Sequence, residues 1–332
     1  TSAIFKVSID GSVKKWMDDG MYRTISFSPN GEYVMISQIN KPFSYLVTYS
    51  RFPTETNVYS KDGNFISNLL NVPLIEELPK GFMSARTGKR SFSWRPDKGA
   101  SLTYVTALDS GDPSKKVDFR DEVYELNYPF LGQGKFMLKT INRFSGIDWG
   151  TKDMAIAYDT WWNTRNRKSY VFNPSNPNIK PKIISDRNYQ DTYSDPGVFL
   201  RSRNEFNRSV LKMHYGNVFL RGQGFSPNGQ FPFIDKVNTK TFEKTRVYQS
   251  SYTDKIESII DYDPKKNQLT VSIESPSEYP NYYIKKIKSG KLEKITDLKN
   301  PFLELQNVKK KKITYLRKDG VELSGILYLP LN

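Results

Sequence analysis

One short unit recurs along this chain: a polar residue, an aromatic, a tight turn built from proline, asparagine, aspartate or glycine, and then an alternating strand. It appears as Ser26-Phe27-Ser28-Pro29-Asn30-Gly31 before Tyr33-Val34-Met35-Ile36, and as Ser93-Trp94-Arg95-Pro96-Asp97 before Leu102-Thr103-Tyr104-Val105. It returns as Asp148-Trp149-Gly150-Thr151 before Met154-Ala155-Ile156-Ala157, and as Asp261-Tyr262-Asp263-Pro264 before Leu269-Thr270-Val271-Ser272. The last interval is about twice the one before it, so a degenerate copy is expected between them. Val198-Phe199-Leu200-Arg201 followed by Ser209-Val210-Leu211-Lys212-Met213 occupies that place.

A second unit runs out of phase with the first and reads as a hairpin about a polar turn. Its clearest copies turn at Asp10-Gly11, Asp62-Gly63 and Ser289-Gly290, and looser ones at 235–240 and 172–182. Asp-Gly between alternating strands is the strongest short-range hairpin signal. Two hairpins per step of roughly fifty residues make four antiparallel strands, the content of one β-propeller blade. Residues 22–71, 85–141, 144–188, 195–249 and 255–299 read as five such blades, and 2–17 as the outer hairpin of another. The expected fold is all-β: about five and a half four-stranded antiparallel blades of a seven-bladed β-propeller, with the remaining strands upstream of residue 1. In this arrangement the turn joins two inner strands and the aromatic packs between neighbouring blades. Composition agrees, since six alanines stand against 21 Tyr and 20 Phe, with 19 Pro and 20 Gly; helices favour alanine, pleated surfaces favour aromatics.

Several chemistries are excluded by count. The chain has no cysteine and one histidine, His214, so it holds no disulfide, thiolate zinc site or cysteine nucleophile, and no metal or other cofactor is expected. The formal charge is +15 over 332 residues. Much of it lies after Lys285, including Lys309-Lys310-Lys311-Lys312, which reads as a solvated linker entering the strand Ile313-Thr314-Tyr315-Leu316. No recognition helix, RNP-like aromatic pair or zinc module accompanies the charge, so nucleic acid is not an expected partner. No apolar run is long enough to span a membrane, and no basic stretch followed by an apolar segment opens the chain. The lack of cysteine weighs toward a periplasmic or extracellular bacterial setting, with cytoplasm and plastid left open.

Particular segments carry a resemblance. Ser50-Arg51-Phe52-Pro53-Thr54-Glu55-Thr56-Asn57-Val58-Tyr59 with Asp62-Gly63-Asn64, then Arg86-Thr87-Gly88-Lys89-Arg90-Ser91-Phe92-Ser93-Trp94-Arg95-Pro96-Asp97, are two of them. Ala107-Leu108-Asp109-Ser110-Gly111-Asp112-Pro113, Arg120-Asp121-Glu122-Val123-Tyr124 and Asp191-Thr192-Tyr193-Ser194-Asp195-Pro196-Gly197 continue the series. Together they resemble the propeller of the prolyl-oligopeptidase-like serine peptidases, in the glutamyl-endopeptidase branch. The alternating hairpin about Lys318-Asp319-Gly320 is similar to the first strands of the α/β-hydrolase domain that follows such a propeller. The resemblance thus implies a propeller over 1–305, and a linker with the start of a hydrolase domain over 306–332.

No G-x-S-x-G nucleophile elbow exists in the chain. The nearest string, Gly224-Phe225-Ser226-Pro227-Asn228-Gly229, has the wrong spacing and reads as a turn, and His214 reads as a structural histidine at a strand end. The chain alone is therefore expected to be inactive, with the catalytic triad lying downstream. In the family the propeller caps the active site and restricts substrates. If the preference is for an acidic side chain, a guanidinium must face it. The candidates are Arg51, Arg86, Arg90 and Arg120, with Arg51 and Arg86 foremost; the ordinary role of each would be a solvated charge or an inter-blade ion pair. Expected partners are a peptide substrate, the missing blades and hydrolase domain, and a second copy of the chain. The alternative is a stand-alone propeller that binds peptides or acidic partners, its positive charge serving association.

Overall fold

The structure, a computed structural model, describes residues 1–305 and 308–329. The expected domain boundary at 305/306 and the Pro330 end of the terminal hairpin therefore reach outside the described residues. Two three-residue 3-10 turns, Tyr49–Arg51 and Leu303–Leu305, are the only helical elements among the described residues. The rest is antiparallel strand and turn, and the chain is built of propeller-type blades.

Four sheets each run in simple sequential order. Sheet I comprises Tyr22–Phe27, Tyr33–Ile39, Thr54–Ser60 and Phe65–Val72. Sheet II comprises Arg90–Trp94, Ser101–Ala107, Asp121–Asn127 and Lys135–Thr140. Sheet III comprises Arg143–Thr151, Met154–Trp161, Asn166–Phe172 and Lys182–Asn188. Sheet V comprises Ile256–Asp263, Gln268–Glu274, Asn281–Lys286 and Leu292–Lys294. An initial hairpin, Ser2–Val7 with Val13–Gly20, precedes them, and its Trp16 donates to the carbonyl of Lys61 at 3.2 Å.

The chain divides into two compact units, each held by its own core. The first contains Thr1–Asp195, Phe199–Phe219 and Val237–Glu243. Within it sheet II is covered on both faces. Leu102, Tyr104, Tyr124 and Leu126 pack with Met35, Val58 and Leu69 of sheet I, while Val105, Val123, Met137 and Leu138 pack with Trp149, Ala155, Ala157 and Tyr170 of sheet III. Successive side chains of a strand point to opposite faces, which is why Leu102 and Tyr104 serve one core and Val105 the other. A strand buried on both faces cannot show a polar side, and Ser101–Ala107 is accordingly buried along most of its length.

Two of the repeated aromatics bridge sheets as expected. Trp94 donates its indole N–H to the carbonyl of Ser26 at 3.0 Å, and Trp149 is buried beneath the Arg95 guanidinium, 4.0 Å from its ring. Phe27 departs from the pattern: it is 54% exposed.

The fourth repeat corrects the expected strand pairing. Its strands are Val198–Phe199, Asn217–Gly222, Phe233–Asn238 and Lys244–Gln249. Ser209–Leu211, expected as a blade strand, instead pairs back on Arg201–Arg203 as a separate small hairpin. The polar stretch Asn204-Glu205-Phe206-Asn207-Arg208 turns the chain within five residues, with Asn207 at φ 55°. That tight return makes the local pairing win.

The second unit contains Pro196–Val198, Leu220–Lys236 and Lys244–Asn332. Ile259, Tyr262, Leu269, Val271 and Ile273 are buried in it. The buried Lys285 ammonium lies 2.8 Å from Glu257 Oε1 and 2.5 Å from the Tyr248 hydroxyl, so a charge inside this core is paired and hydrogen-bonded. Phe225–Ser226 and Gly229–Gln230 pair as a turn. Lys309–Leu316 pairs with Glu322–Leu329 through eight register positions. The lysine run 309–312 is thus the first half of a strand and not a linker, and its side chains are exposed.

Candidate functional site

Antiparallel order brings the candidate arginines to one end of sheets I and II. The loop joining a second strand to a third emerges at the same end as the segment leaving a fourth strand, because direction reverses at every strand. Arg51 lies in the first kind of loop in sheet I, Arg86 in the segment between sheets I and II, and Arg90 and Arg120 where the strands of sheet II begin at that end. All four belong to the first compact unit.

The structure sorts them into two pairs. Arg90 Nη2 lies 2.5 Å from Asp121 Oδ1. Arg120 Nη1 lies 2.7 Å from Asp109 Oδ2, with its guanidinium 3.9 Å from the Trp161 ring. Both are already paired with buried carboxylates. A third arginine, Arg143, joins them: its Nη2 and Nη1 reach Asp109 and Asp121, and its Nε donates to the carbonyl of Met83 at 2.8 Å. Burial pushes the Asp109 carboxyl up, but hydrogen bonds from Arg143 and Arg120 outweigh this and hold it below the ordinary aspartate value. Arg143 and Asp109 stand 34 residues apart, and no local pattern pairs them. The adjacent Arg120-Asp121 is the only sequence signal that a charged cluster exists there.

Arg51 and Arg86 are placed differently: Arg86 lies in the wall of a cleft of about 350 Å³ lined also by Leu70, Val72, Ile75, Glu77, Thr87 and Ser110 among others. Arg86 donates to two carbonyls, those of Thr87, at 3.0 Å, and Lys89. It has no carboxylate partner among the described residues. Burial, and secondarily the charge of Arg90, lower its pKa, the mark of a cation short of counter-charge. The backbone behind it is fixed by the Ala85 N–H donating to Gly111 C=O at 2.9 Å. Arg51 sits in the turn Tyr49–Arg51, and its carbonyl accepts from Ile75 N–H at 3.0 Å, tying this loop to the cleft wall. Its guanidinium meets no hydrogen-bonding or ionic partner among the described residues. An under-neutralised guanidinium in the cleft wall, Arg86, and a second whose loop is tied to that wall by a backbone hydrogen bond, Arg51, suit a carboxylate on a small apolar stem. Glu77, in the same wall, is the one acid that would compete for them.

The remaining sequence candidates carry no such arrangement. The His214 ring packs on Tyr215, centroids 4.2 Å apart. Among the described residues no group of three or more Asp, Glu or His side chains could hold a metal ion, and no helix is long and apolar enough to cross a membrane.

No family model matches the chain. A probable chloroplastic glutamyl endopeptidase of Oryza sativa subsp. japonica is 35% identical over 346 aligned positions, which cover 99% of this chain and 37% of that protein. Its counterpart in Arabidopsis thaliana is 32% identical, covering 99% and 36%. The chain thus spans a little over a third of the length of the curated relatives it matches. Both relatives are chloroplast proteins, compatible with the plastid setting left open above, and neither supports the favoured periplasmic one. Among solved structures, the Pyrococcus horikoshii acylaminoacyl peptidase aligns with a TM-score of 0.47 at 13% identity, over 99% of this chain and 47% of that one. Oligopeptidase B from Leishmania major aligns with 0.47 at 6% identity, over 91% and 37%.

Proposed function

We propose, for a chain that belongs to the glutamyl-endopeptidase branch of the prolyl-oligopeptidase-like serine peptidases, that it is the non-catalytic propeller portion of such a peptidase. In this reading it caps an active site carried elsewhere in the protein and selects peptides bearing an acidic side chain. The observation that carries the reading is 35% identity sustained over 99% of the chain to part of a probable glutamyl endopeptidase. The absence of any G-x-S-x-G elbow agrees with a supporting role. The hairpin Lys309–Leu316 with Glu322–Leu329 then opens the hydrolase domain, and the working compartment is the plastid.

Acid selection rests on the cleft. Arg86, with only carbonyl partners, and Arg51, tied to the same wall through Ile75, would receive a glutamate carboxylate, and the apolar wall its methylenes. The test is labelling of the natural-length protein with a serine-directed fluorophosphonate, alongside fluorogenic peptides ending in Glu, Asp, Pro or Ala. Labelling with cleavage after Glu supports the reading. A natural product of this length that neither labels nor cleaves would instead be a binding propeller.

A further inference from the structure

The hairpin Arg201–Arg203 with Ser209–Leu211, which sequence reading took for a blade strand, touches three sheets of its own unit. At its tip, Arg208 Nη2 donates to the carbonyls of Phe27 and Ser28, at 3.3 and 3.2 Å, in the turn joining the first two strands of sheet I. Asn204 Nδ2 donates to the carbonyl of Pro96 at 2.7 Å, in the equivalent turn of sheet II. At its base, Arg201 pairs with Asp148 in the first strand of sheet III. The turns of sheets I and II are themselves joined, Asn30 N–H to Gly99 C=O at 3.0 Å.

A hairpin with three-residue strands can reach three successive sheets only where those sheets converge. In a propeller that place is the axis, where the first strands line a central channel. The tip is pre-organised for this contact: Asn204 Oδ1 accepts from the backbone N–H of Phe206 and Arg208, at 3.1 and 2.9 Å, leaving the amide nitrogen to reach across to Pro96. We propose that residues 201–211 form a plug across the channel mouth at the turns between first and second strands, so that a peptide too long for the interior cannot thread through that mouth. This specificity role rests on the peptidase reading above.

The test uses the natural-length enzyme with Asn204→Ala combined with Arg208→Ala, both tip side chains whose loss leaves the apolar cores intact. A second variant, Asn204→Asp, keeps an oxygen to shape the tip and replaces the donor to Pro96 with a carboxylate oxygen that cannot donate to it. Amide hydrogen exchange over 201–211 reports release of the tip. The kcat/KM ratio for a long unstructured Glu-containing peptide against a short one reports passage. The plug predicts faster exchange and a several-fold rise in the long-to-short ratio, larger in the double variant. Faster exchange with an unmoved ratio, or unmoved exchange, overturns it. A wild-type enzyme that cleaves neither peptide instead overturns the peptidase reading, and the plug falls with it.

Discussion

Arg143 Nη2 lies 2.8 Å from Asp109 Oδ2 while its Nη1 lies 3.1 Å from Asp121 Oδ1, so one guanidinium at the start of sheet III holds two carboxylates of sheet II and its loop. All three side chains are buried. Without Arg143, Asp109 would keep only Arg120 and Asp121 only Arg90, so each buried carboxylate would lose one of its two charged partners. Arg143→Ala is therefore expected to lower unfolding free energy by roughly 1.5–3 kcal/mol, measured as a fall in the urea midpoint.

Two buried carboxylates, Asp109 of this cluster and Glu125 beside Arg95 and Lys98, set an acid limit. Asp109 is held below its ordinary value as described above. Glu125 is raised by burial but lowered further by a hydrogen bond from Lys98 and the charge of Arg95. Both groups bind fewer protons folded than unfolded. Their stabilisation is fully present above the unfolded carboxylate range, about 4, and is lost as pH falls through the folded values. Urea midpoints should drop on acidification from pH 5 toward 3, and Asp109→Asn should flatten that dependence from a lower starting stability.

Gly111 links fold to cleft. At φ +76° its missing Cβ would lie 1.7 Å from the carbonyl oxygen of Ala85, the residue before Arg86. Gly111→Ala must therefore displace that backbone as well as strain its own. The expected result is a lower melting temperature together with a raised KM for Glu peptides; a change in neither would contradict the contact.

The two pairs of arginines should separate by phenotype. Arg51→Ala and Arg86→Ala are expected to raise KM for Glu-terminated peptides at least tenfold, about 1.4 kcal/mol, with melting temperatures near wild type. Arg90→Ala and Arg120→Ala leave Asp121 and Asp109 with Arg143 as their remaining guanidinium partner and should lower the melting temperature first. Loss of stability from Arg86→Ala without any change in substrate preference would count against acid selection at the cleft.

The local pattern carried most of the architecture. Alternation, turn residues and the recurring aromatic located sheets I, II, III and V because each strand pairs with its sequence neighbour, leaving pairing little choice. The exception is instructive: Ser209–Leu211 alternates like a blade strand, yet the competing partner Arg201–Arg203 lies a few residues away, and periodicity cannot weigh one partner against another. The lysine run at 309–312 misled similarly, since its strand character comes from the chain opposite, Ile326 to Leu329.

For the site, residue types and their order nominated four arginines, and the common end of the strands that carry them follows from antiparallel sequence alone. Which of them remain available was decided only in three dimensions. Asp109, Asp121 and Arg143 come from separate strands and loops, and their meeting in one seam takes up Arg90 and Arg120 while leaving Arg86 with carbonyl partners. Sequence determined the blades, since those interactions are local and periodic; tertiary structure decided the charge pairing and the hairpin at the converging turns, since burial and long-range geometry choose among many chemically equivalent partners.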